Sequence, residues 1–386
     1  MLSPVFVTLF FSIFIAVTGV GIVVPLLPVY AHDLGASGLA IGLIFGAFSI
    51  SRTFLLPFFG RMSDEKGRKP FILAGLFAYG LISFLFIAAR GVSDLILIRF
   101  LHGAASAMVM PVAQAYIGDI TPKGKEGLFM GMFNMSMFIS LSLGPLMGGI
   151  LSARMGMHWA FATMGIMAFT GCMASLFFLP PRSMESGRDR TPDHYPWKAL
   201  ITDPVFSGIF LYRFAYTCGI GMIWCFLPVL AHTRFAMESD AIGILVMSGI
   251  FVSGLLNIPM GWLADRWNRK AMVFIGGVLV AAGMAAIGMA EGFSGLLTGC
   301  ILFGTGGGIS VPAMTAMAVE TGKSLKAMGG AMSLLTMAHS MGMLVGSLGA
   351  GLAMDHMNLS SAFPMAAFFL VTSLLPMAIC FRMKKK

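Results

Sequence analysis

Apolar stretches of about twenty residues recur along the whole chain, separated by short polar and charged turns. A bilayer core of about 30 Å needs roughly 20 apolar residues per helix. The pattern predicts twelve membrane-spanning helices, at about 4–31, 38–60, 71–89, 93–118, 128–152, 158–180, 206–231, 239–262, 271–290, 294–318, 327–354 and 360–381. The fold class expected is all-α polytopic, two pseudo-symmetric six-helix bundles.

Composition supports lipid as the solvent. Of 386 residues, 58% are hydrophobic and 11% charged, where a soluble domain carries about 25% charge. The net charge of +9 resembles a nucleic-acid signal but reads better as topology. With both termini cytoplasmic, all but six of the 25 Lys and Arg fall in inner loops and the tail. The exceptions are Arg90, Arg154 and Arg234 in outer loops, and Arg52, Arg99 and Arg213 inside spans. That bias follows the positive-inside rule and suits a multi-pass protein of a bacterial-type cytoplasmic (inner) membrane, with no nucleic-acid partner. Five cysteines all lie in apolar spans without a CxxC pair, and read as small buried hydrophobes. The first stretch has no basic n-region or clear cleavage site, so it reads as a retained helix.

An internal repeat organises the chain. GVGIVVPLLPVYAH at 19–32 matches GIGMIWCFLPVLAH at 219–232, sharing Gly19/Gly219, Gly21/Gly221, Pro28/Pro228 and His32/His232. GRMSDEKGRK at 60–69 matches GWLADRWNRK at 261–270. Two matches in order, nearly in register, argue for duplication. The domains expected are 1–180, an N-terminal bundle; 181–204, a polar cytoplasmic linker with a short interfacial helix near Trp197 and Lys198; and 205–386, a C-terminal bundle. Six helices per half leave both halves in one orientation, a known transporter design.

Gly60, Asp64, Gly67, Arg68 and Lys69 form G-x-x-x-D-x-x-G-R-K after the second span, and Gly261, Asp265, Asn268, Arg269 and Lys270 answer it after the eighth. Asp and Arg four residues apart can pair across one turn. Gly67 and Asn268 are residue types that tolerate a left-handed turn. Gly60 and Gly261 allow close helix approach.

This duplicated loop resembles the signature of the major facilitator superfamily, and with twelve spans the resemblance covers essentially the whole chain. Arg99, His102 and Gly103 resemble the family's R-x-x-x-G element. Gly144, Pro145, Gly148 and Gly149 match G-P-x-x-G-G of its drug/proton antiporters, with Ser140 where the pattern begins with Gly. Pro25 and Pro28, followed by Leu34 and Gly35, also look like the twelve-helix antiporter group. Packing and kinking explain the same Gly/Pro set. The resemblance implies that Asp64 and Arg68 latch a cytoplasmic gate. Asp119 and its counterpart Glu320 would join the ionic cluster, unless they are ordinary solvated helix ends.

All 16 acids can be placed at helix ends or in loops, leaving Arg52, Arg99 and Arg213 as the intramembrane charges. A buried Arg faces a cavity or a partner. Without internal acids these need backbone carbonyls, water or an anionic ligand. A cation exporter would use a membrane-embedded carboxylate, so the expected cargo is neutral, zwitterionic or anionic; the alternative is arginines that brace helices. Polar clusters mark candidate substrate or proton faces: Arg99, His102 and Ser106; Asn134 and Ser136; Tyr212, Arg213, Tyr216 and Thr217; Thr336, His339 and Ser340; and Asn257. His102 and His339 are candidate proton sites, or packing histidines. The 34 Met and 34 Phe suit an adaptable apolar cavity, or simply lipid contact.

No Walker loop, H-E-x-x-H, G-x-S-x-G or Cys/His metal spacing occurs. No catalytic residue, metal or cofactor is therefore expected, and the chain reads as a carrier rather than an enzyme. The leading reading is a monomeric, proton-linked exporter of small amphipathic compounds. A metabolite or organic-anion carrier, acting as an importer, is the alternative; a membrane-embedded lipid enzyme is the non-transporter alternative.

Overall fold

In lipid, a backbone N–H or C=O without an internal partner costs several kcal/mol, so spanning segments close their hydrogen bonds within helices. The computed structural model describes residues 4–120, 126–180, 197–325 and 328–383. Among these every regular element is helical. The first six spans are α1 (Pro4–Asp33), α2 (Gly38–Lys66), α3 (Arg68–Ala88), α4 (Val92–Ile120), α5 (Glu126–Met155) and α6 (Met157–Phe178). A short α7 (Trp197–Thr202) precedes α8 (Pro204–Phe235), α9 (Ser239–Ala264), α10 (Arg269–Gly288), α11 (Phe293–Ser324), α12 (Met328–His356) and α13 (Leu359–Met383).

Each of the twelve expected spans is one long helix. Eleven are long and apolar enough to cross a membrane, and α13 contributes the apolar stretch Leu359–Leu375. The protein is thus an all-α polytopic membrane protein. The largest departures from the sequence bounds are at α2 and α11, which continue to Lys66 and Ser324 rather than ending near 60 and 318. Hydropathy marks where lipid ends; the hydrogen-bond ladder has no reason to stop there. The expected linker falls largely at 181–196, outside the described residues. Its anticipated short helix near Trp197 is α7.

The chain divides into two compact units. Unit 1 comprises Met1–Ala36, Leu43–Arg188 and Ala236–Met247; unit 2 comprises Ser37–Gly42, Asp189–Phe235 and Ser248–Lys386. They depart from a plain split of the chain at two short segments, the first turn of α2 and the start of α9.

Unit 1 packs α1 against α5 and α6, and α3 against α4 and α6. Unit 2 repeats the scheme, with α8 against α12 and α13, and α10 against α11 and α13. The closest seams are built from small residues, which let backbones touch where lipid gives no hydrophobic drive to associate. A Cβ on Gly144 would lie 2.5 Å from the Cα of Gly21, and one on Gly148 would lie 2.5 Å from the Ile22 carbonyl oxygen. In unit 2, Gly221 meets the Met343 carbonyl at the same 2.5 Å, and Gly346 abuts Cys218. Unit 1 also has an apolar core of Phe6, Leu9, Ile13, Ile72, Leu76, Val112 and Phe133.

Among the expectations for the loop motif, those for Asn268, Gly60 and Gly261 change. Gly67 adopts φ +95°, the left-handed region that its position called for. Asn268 does not: at φ −70° it caps α10, its Oδ1 accepting from the N–H groups of Lys270 at 3.1 Å and Ala271 at 3.3 Å. A side-chain acceptor satisfies orphan donors at a helix start, and Gly67 has none to offer. Nor do Gly60 and Gly261 make close helix approaches. A Cβ on Gly60 would meet no described atom within 4 Å, and one on Gly261 only Pro312 at 3.9 Å.

Candidate functional site

The two copies of the loop motif are wired differently. In unit 2, Arg269 holds a closed ionic cluster: its Nη1 lies 2.9 Å from Glu320 Oε2 and its Nη2 3.5 Å from Asp265 Oδ1. Its Nε donates to the Ala264 carbonyl at 2.8 Å. A turn brings Asp265, Arg269 and Glu320 together at the head of α10. In unit 1, Arg68 Nη1 donates to Ser63 Oγ at 2.7 Å. Lys69 reaches across to the end of α6, where Nζ donates to the carbonyls of Leu176 at 2.8 Å and Leu179 at 2.5 Å. Those are helix-end carbonyls with no partner in their own helix, which a Lys can satisfy. The side chains of Asp64 and Asp119 lie outside the described residues, as does that of Asn134.

The antiporter-like element in α5 is the inner seam of unit 1. Gly144 and Gly148 receive α1 at Gly21 and Ile22, and Gly149 meets the Ser239 carbonyl. Pro145 Cδ would stand 3.2 Å from a Cβ on Gly21. Ser140, the variant first position, donates its Oγ to the Phe14 carbonyl of α1 at 3.0 Å. A small hydroxyl thus replaces glycine's close approach with a hydrogen bond.

The three intramembrane arginines have three different environments. Arg99 of α4 is buried, with its guanidinium over the rings of Phe48 at 4.4 Å and Phe45 at 5.0 Å, both from α2. An aromatic face stabilises a desolvated cation by about 2 kcal/mol, so this site is an aromatic cage. Backbone carbonyls, water or an anionic ligand were the partners expected for it; the rings come from α2, where phenylalanines three apart were the available signal. Arg52 of α2 is half-buried, and its Nε has no hydrogen-bond partner among the described residues.

Arg213 of α8 is half-buried, and its Nη2 lies 3.3 Å from Nδ1 of His339 on α12. For that contact to be a hydrogen bond Nδ1 must be the acceptor, which fixes a neutral imidazole with its proton on Nε2. No described carboxylate pairs with Arg213, and every described acid lies at a helix end or between helices. Thr336 is exposed one turn before His339, and Ser340 half-buried beside it. Thr217 Oγ1 donates within α8 to the carbonyls of Arg213 and Phe214, and sits 3.3 Å from the Ala338 carbonyl of α12.

Other polar residues of the expected faces are internal. His102 is fully buried, with its ring centroid 3.7 Å from that of Tyr79 and neither nitrogen hydrogen-bonded to a described residue. Tyr212 and Tyr216 are buried and stack with their ring planes 10° apart; Tyr216 stacks in turn on Phe303 at 5.5 Å. Gly277 and Gly307 make room for the two phenol rings. His102 is thus internal to unit 1 and Tyr212 and Tyr216 to unit 2, whereas Arg213, Thr336 and His339 keep part of their surface accessible in unit 2.

Asp355, near the end of α12, was read only as a helix-end acid. Its carboxylate accepts from the N–H groups of Gly38 at 2.6 Å and Leu39 at 2.8 Å, within unit 2. A carboxylate at a helix N-terminus satisfies orphan donors and meets the positive end of the dipole. No short-range sequence signal reveals a cap more than 300 residues away.

The family model described as Major Facilitator Superfamily matches residues 9–238 and 209–386. An uncharacterized MFS-type transporter of Methanocaldococcus jannaschii is 28% identical over 361 residues, covering 92% of this chain and 92% of its own. Quinolone resistance protein NorA of Staphylococcus aureus is 34% identical over 206 residues, 52% of this chain. The chain spans about half, 53%, of that relative. Among solved structures, the nucleoside transporter NupG superposes with a TM-score of 0.83 at 14% identity, covering 98% of this chain and 100% of its own. The human organic anion transporter MFSD10 superposes at 0.64 with 19% identity, covering 97% and 99%. At those identities the likeness is one of fold.

Proposed function

This chain belongs to the Major Facilitator Superfamily, and from that premise we propose that it is a secondary active transporter exporting small amphipathic compounds by alternating access, linked to protons. Its cargo is neutral or anionic rather than cationic. The observation that carries the choice of cargo is the Arg213–His339 pair, a half-buried cation without a described carboxylate beside it. A charge in a span is costly and marks a substrate or ion path; an anionic group completes this one. Export is supported by the likeness of half the chain to a protein named for quinolone resistance and by the G-P-x-x-G-G seam.

The mechanism follows from the duplicated parts. Two bundles, 1–180 and 205–386, joined by 181–204, move as units to alternate access. The loop motifs act as cytoplasmic gates: Gly60, Asp64, Gly67, Arg68, Lys69 and Asp119 in one half, Gly261, Asp265, Arg269 and Glu320 in the other. Ionic clusters at helix ends are cheap to break in water, where such pairs contribute about 0–1 kcal/mol, so they can open and close each cycle. His339 is the proton site: protonating Nδ1 removes the acceptor that holds Arg213, so the proton and the freedom of that cation are linked. The carrier works as a monomer in a cytoplasmic membrane, with both termini on the cytoplasmic side.

A second reading is a metabolite or organic-anion carrier running inward, favoured by the absence of a described acid within the spans. One experiment separates the readings. Purified protein in proteoliposomes is offered labelled amphipathic anions, neutrals and cations, with and without an imposed pH gradient. The proposal expects saturable flux of anions or neutrals, driven against the proton gradient. Flux driven with the proton gradient supports the second reading, and a preference for cations sinks both.

A further inference from the structure

Tryptophan placement singles out one residue. Trp159, Trp197, Trp262 and Trp267 stand near helix ends or in the turns between helices, where an amphipathic ring suits the headgroup level of a bilayer. Trp224 does not: it lies deep in α8, well before the helix ends at Phe235. An indole N–H can only donate, and no described residue accepts from this one.

Packing leaves Trp224 open in one direction. Between Ala215 and Ala231 every residue of α8 is buried except Ile220 and Trp224, which are half-buried. With Arg213 they follow 7-4 spacing, which places all three on one face, within about 40°. Lipid does not account for that strip. The apolar stretch of α9, which exposes Phe251, Leu255 and Ile258, is only 28% buried, whereas that of α8 is 83% buried. A helix packed to that degree has no broad side for acyl chains. Beside the strip, α12 sets His339 next to Arg213 and the Met343 backbone against Gly221, and Met343 is itself half-buried.

The repeat shows that one half alone carries this face. At an offset of 200 residues, α1 has Ile13, Val20 and Val24 where α8 has Arg213, Ile220 and Trp224. Ile13 and Val24 are buried. The cation and the ring occur together on α8 and have no counterpart on α1.

We propose that Trp224 is a specificity residue, selecting cargo whose aromatic ring is held away from its anionic group by an apolar linker. Arg213 and Trp224 lie about 16 Å apart along the axis, at about 1.5 Å per residue. The guanidinium takes the oxyanion, for which its planar fork is suited. Ile220 and Met343 lie along the linker, and the indole stacks on the ring. A cargo with no ring, or with ring and charge adjoining, engages one end only. That selectivity rests on the anion reading of Arg213 and narrows its cargo to arylalkyl anions.

The test uses full-length protein in proteoliposomes and sulfonates, which stay charged throughout the working pH range. Flux of phenyloctanesulfonate is compared with that of dodecanesulfonate, which has similar apolar surface but no ring, and of benzenesulfonate, which has no linker. In wild type the KM for phenyloctanesulfonate should be about fivefold below that for either. Trp224→Leu should bring the phenyloctane-to-dodecane ratio of kcat/KM close to one, and Trp224→Phe should restore most of it. The ratio compares two cargoes on one preparation, so differences in folding or expression between variants cancel. Equal KM values for the two long sulfonates in wild type, or an unchanged ratio in Trp224→Leu, overturn the proposal while leaving anion transport standing. Absence of flux for all three sulfonates overturns the anion reading of Arg213, and the role of Trp224 with it.

Discussion

Replacing Arg213 with methionine separates a substrate group from a helix brace, because the two roles predict opposite changes in stability. Methionine keeps the length and flexibility of the side chain and removes the charge. An arginine at the centre of a membrane helix costs about 2.5–3.5 kcal/mol on insertion scales. Arg213 is half-buried, so the lower end applies. Against this stands one hydrogen bond to His339 at 3.3 Å, worth about 1.5 kcal/mol when one partner is charged. The balance predicts that Arg213→Met stabilises the fold by about 1 kcal/mol while abolishing transport of anions. That trade of stability against activity is usual for functional groups held at a cost. Thermal midpoints of the detergent-solubilised protein, read by fluorescence-detected size exclusion, give the first quantity; proteoliposome flux gives the second. Loss of more than about 2 kcal/mol, or full anion flux at unchanged expression, would refute the assignment and leave Arg213 as a brace.

Three further predictions concern the seams, the ionic cluster and the long-range cap. Gly144→Val should destabilise unit 1 by about 1–3 kcal/mol, because its Cβ would lie 2.5 Å from Gly21 Cα; Gly60→Ala, in open space, should gain up to about 1 kcal/mol. Both are read by thermal midpoint, and equal costs at the two sites would contradict the packing account. Arg269→Gln should change stability by no more than about 1 kcal/mol, since its pairs are partly exposed, yet lower flux in proteoliposomes if the cluster gates transport; unaltered flux removes it from the gate. Asp355→Ala should cost about 0.5–2 kcal/mol through the lost acceptors at Gly38 and Leu39, with hydrogen exchange at those two amides rising; unchanged protection would show the cap to be inert.

Much of the candidate site was readable in one dimension wherever its partners are close in sequence or related by the repeat. Asp265 and Arg269 are four residues apart, and Glu320 follows from Asp119 by the same offset that relates the loops. The seam of α5 was recognisable because only small residues permit backbones to touch. The Phe45/Phe48 cage around Arg99, the Lys69 bonds to α6 and the Asp355 cap on α2 were not readable, since each joins residues from different helices. Asn268 shows the limit even inside a motif. Equivalence to Gly67 suggested equal backbone geometry, but a side-chain oxygen offered a cheaper way to start α10.

Sequence alone determined the number of spans, the duplication and the family, because hydropathy over twenty residues and a repeated loop need no knowledge of neighbours. Tertiary structure decided which polar residues stay accessible. Tyr212, Tyr216, His102 and Arg99 stand on paper as polar candidates beside Arg213 and His339. Helix packing buries the first four among rings and glycines and leaves the last two at the surface of unit 2. Desolvation depends on what the other helices bring to each side chain, and only the packed bundle specifies that.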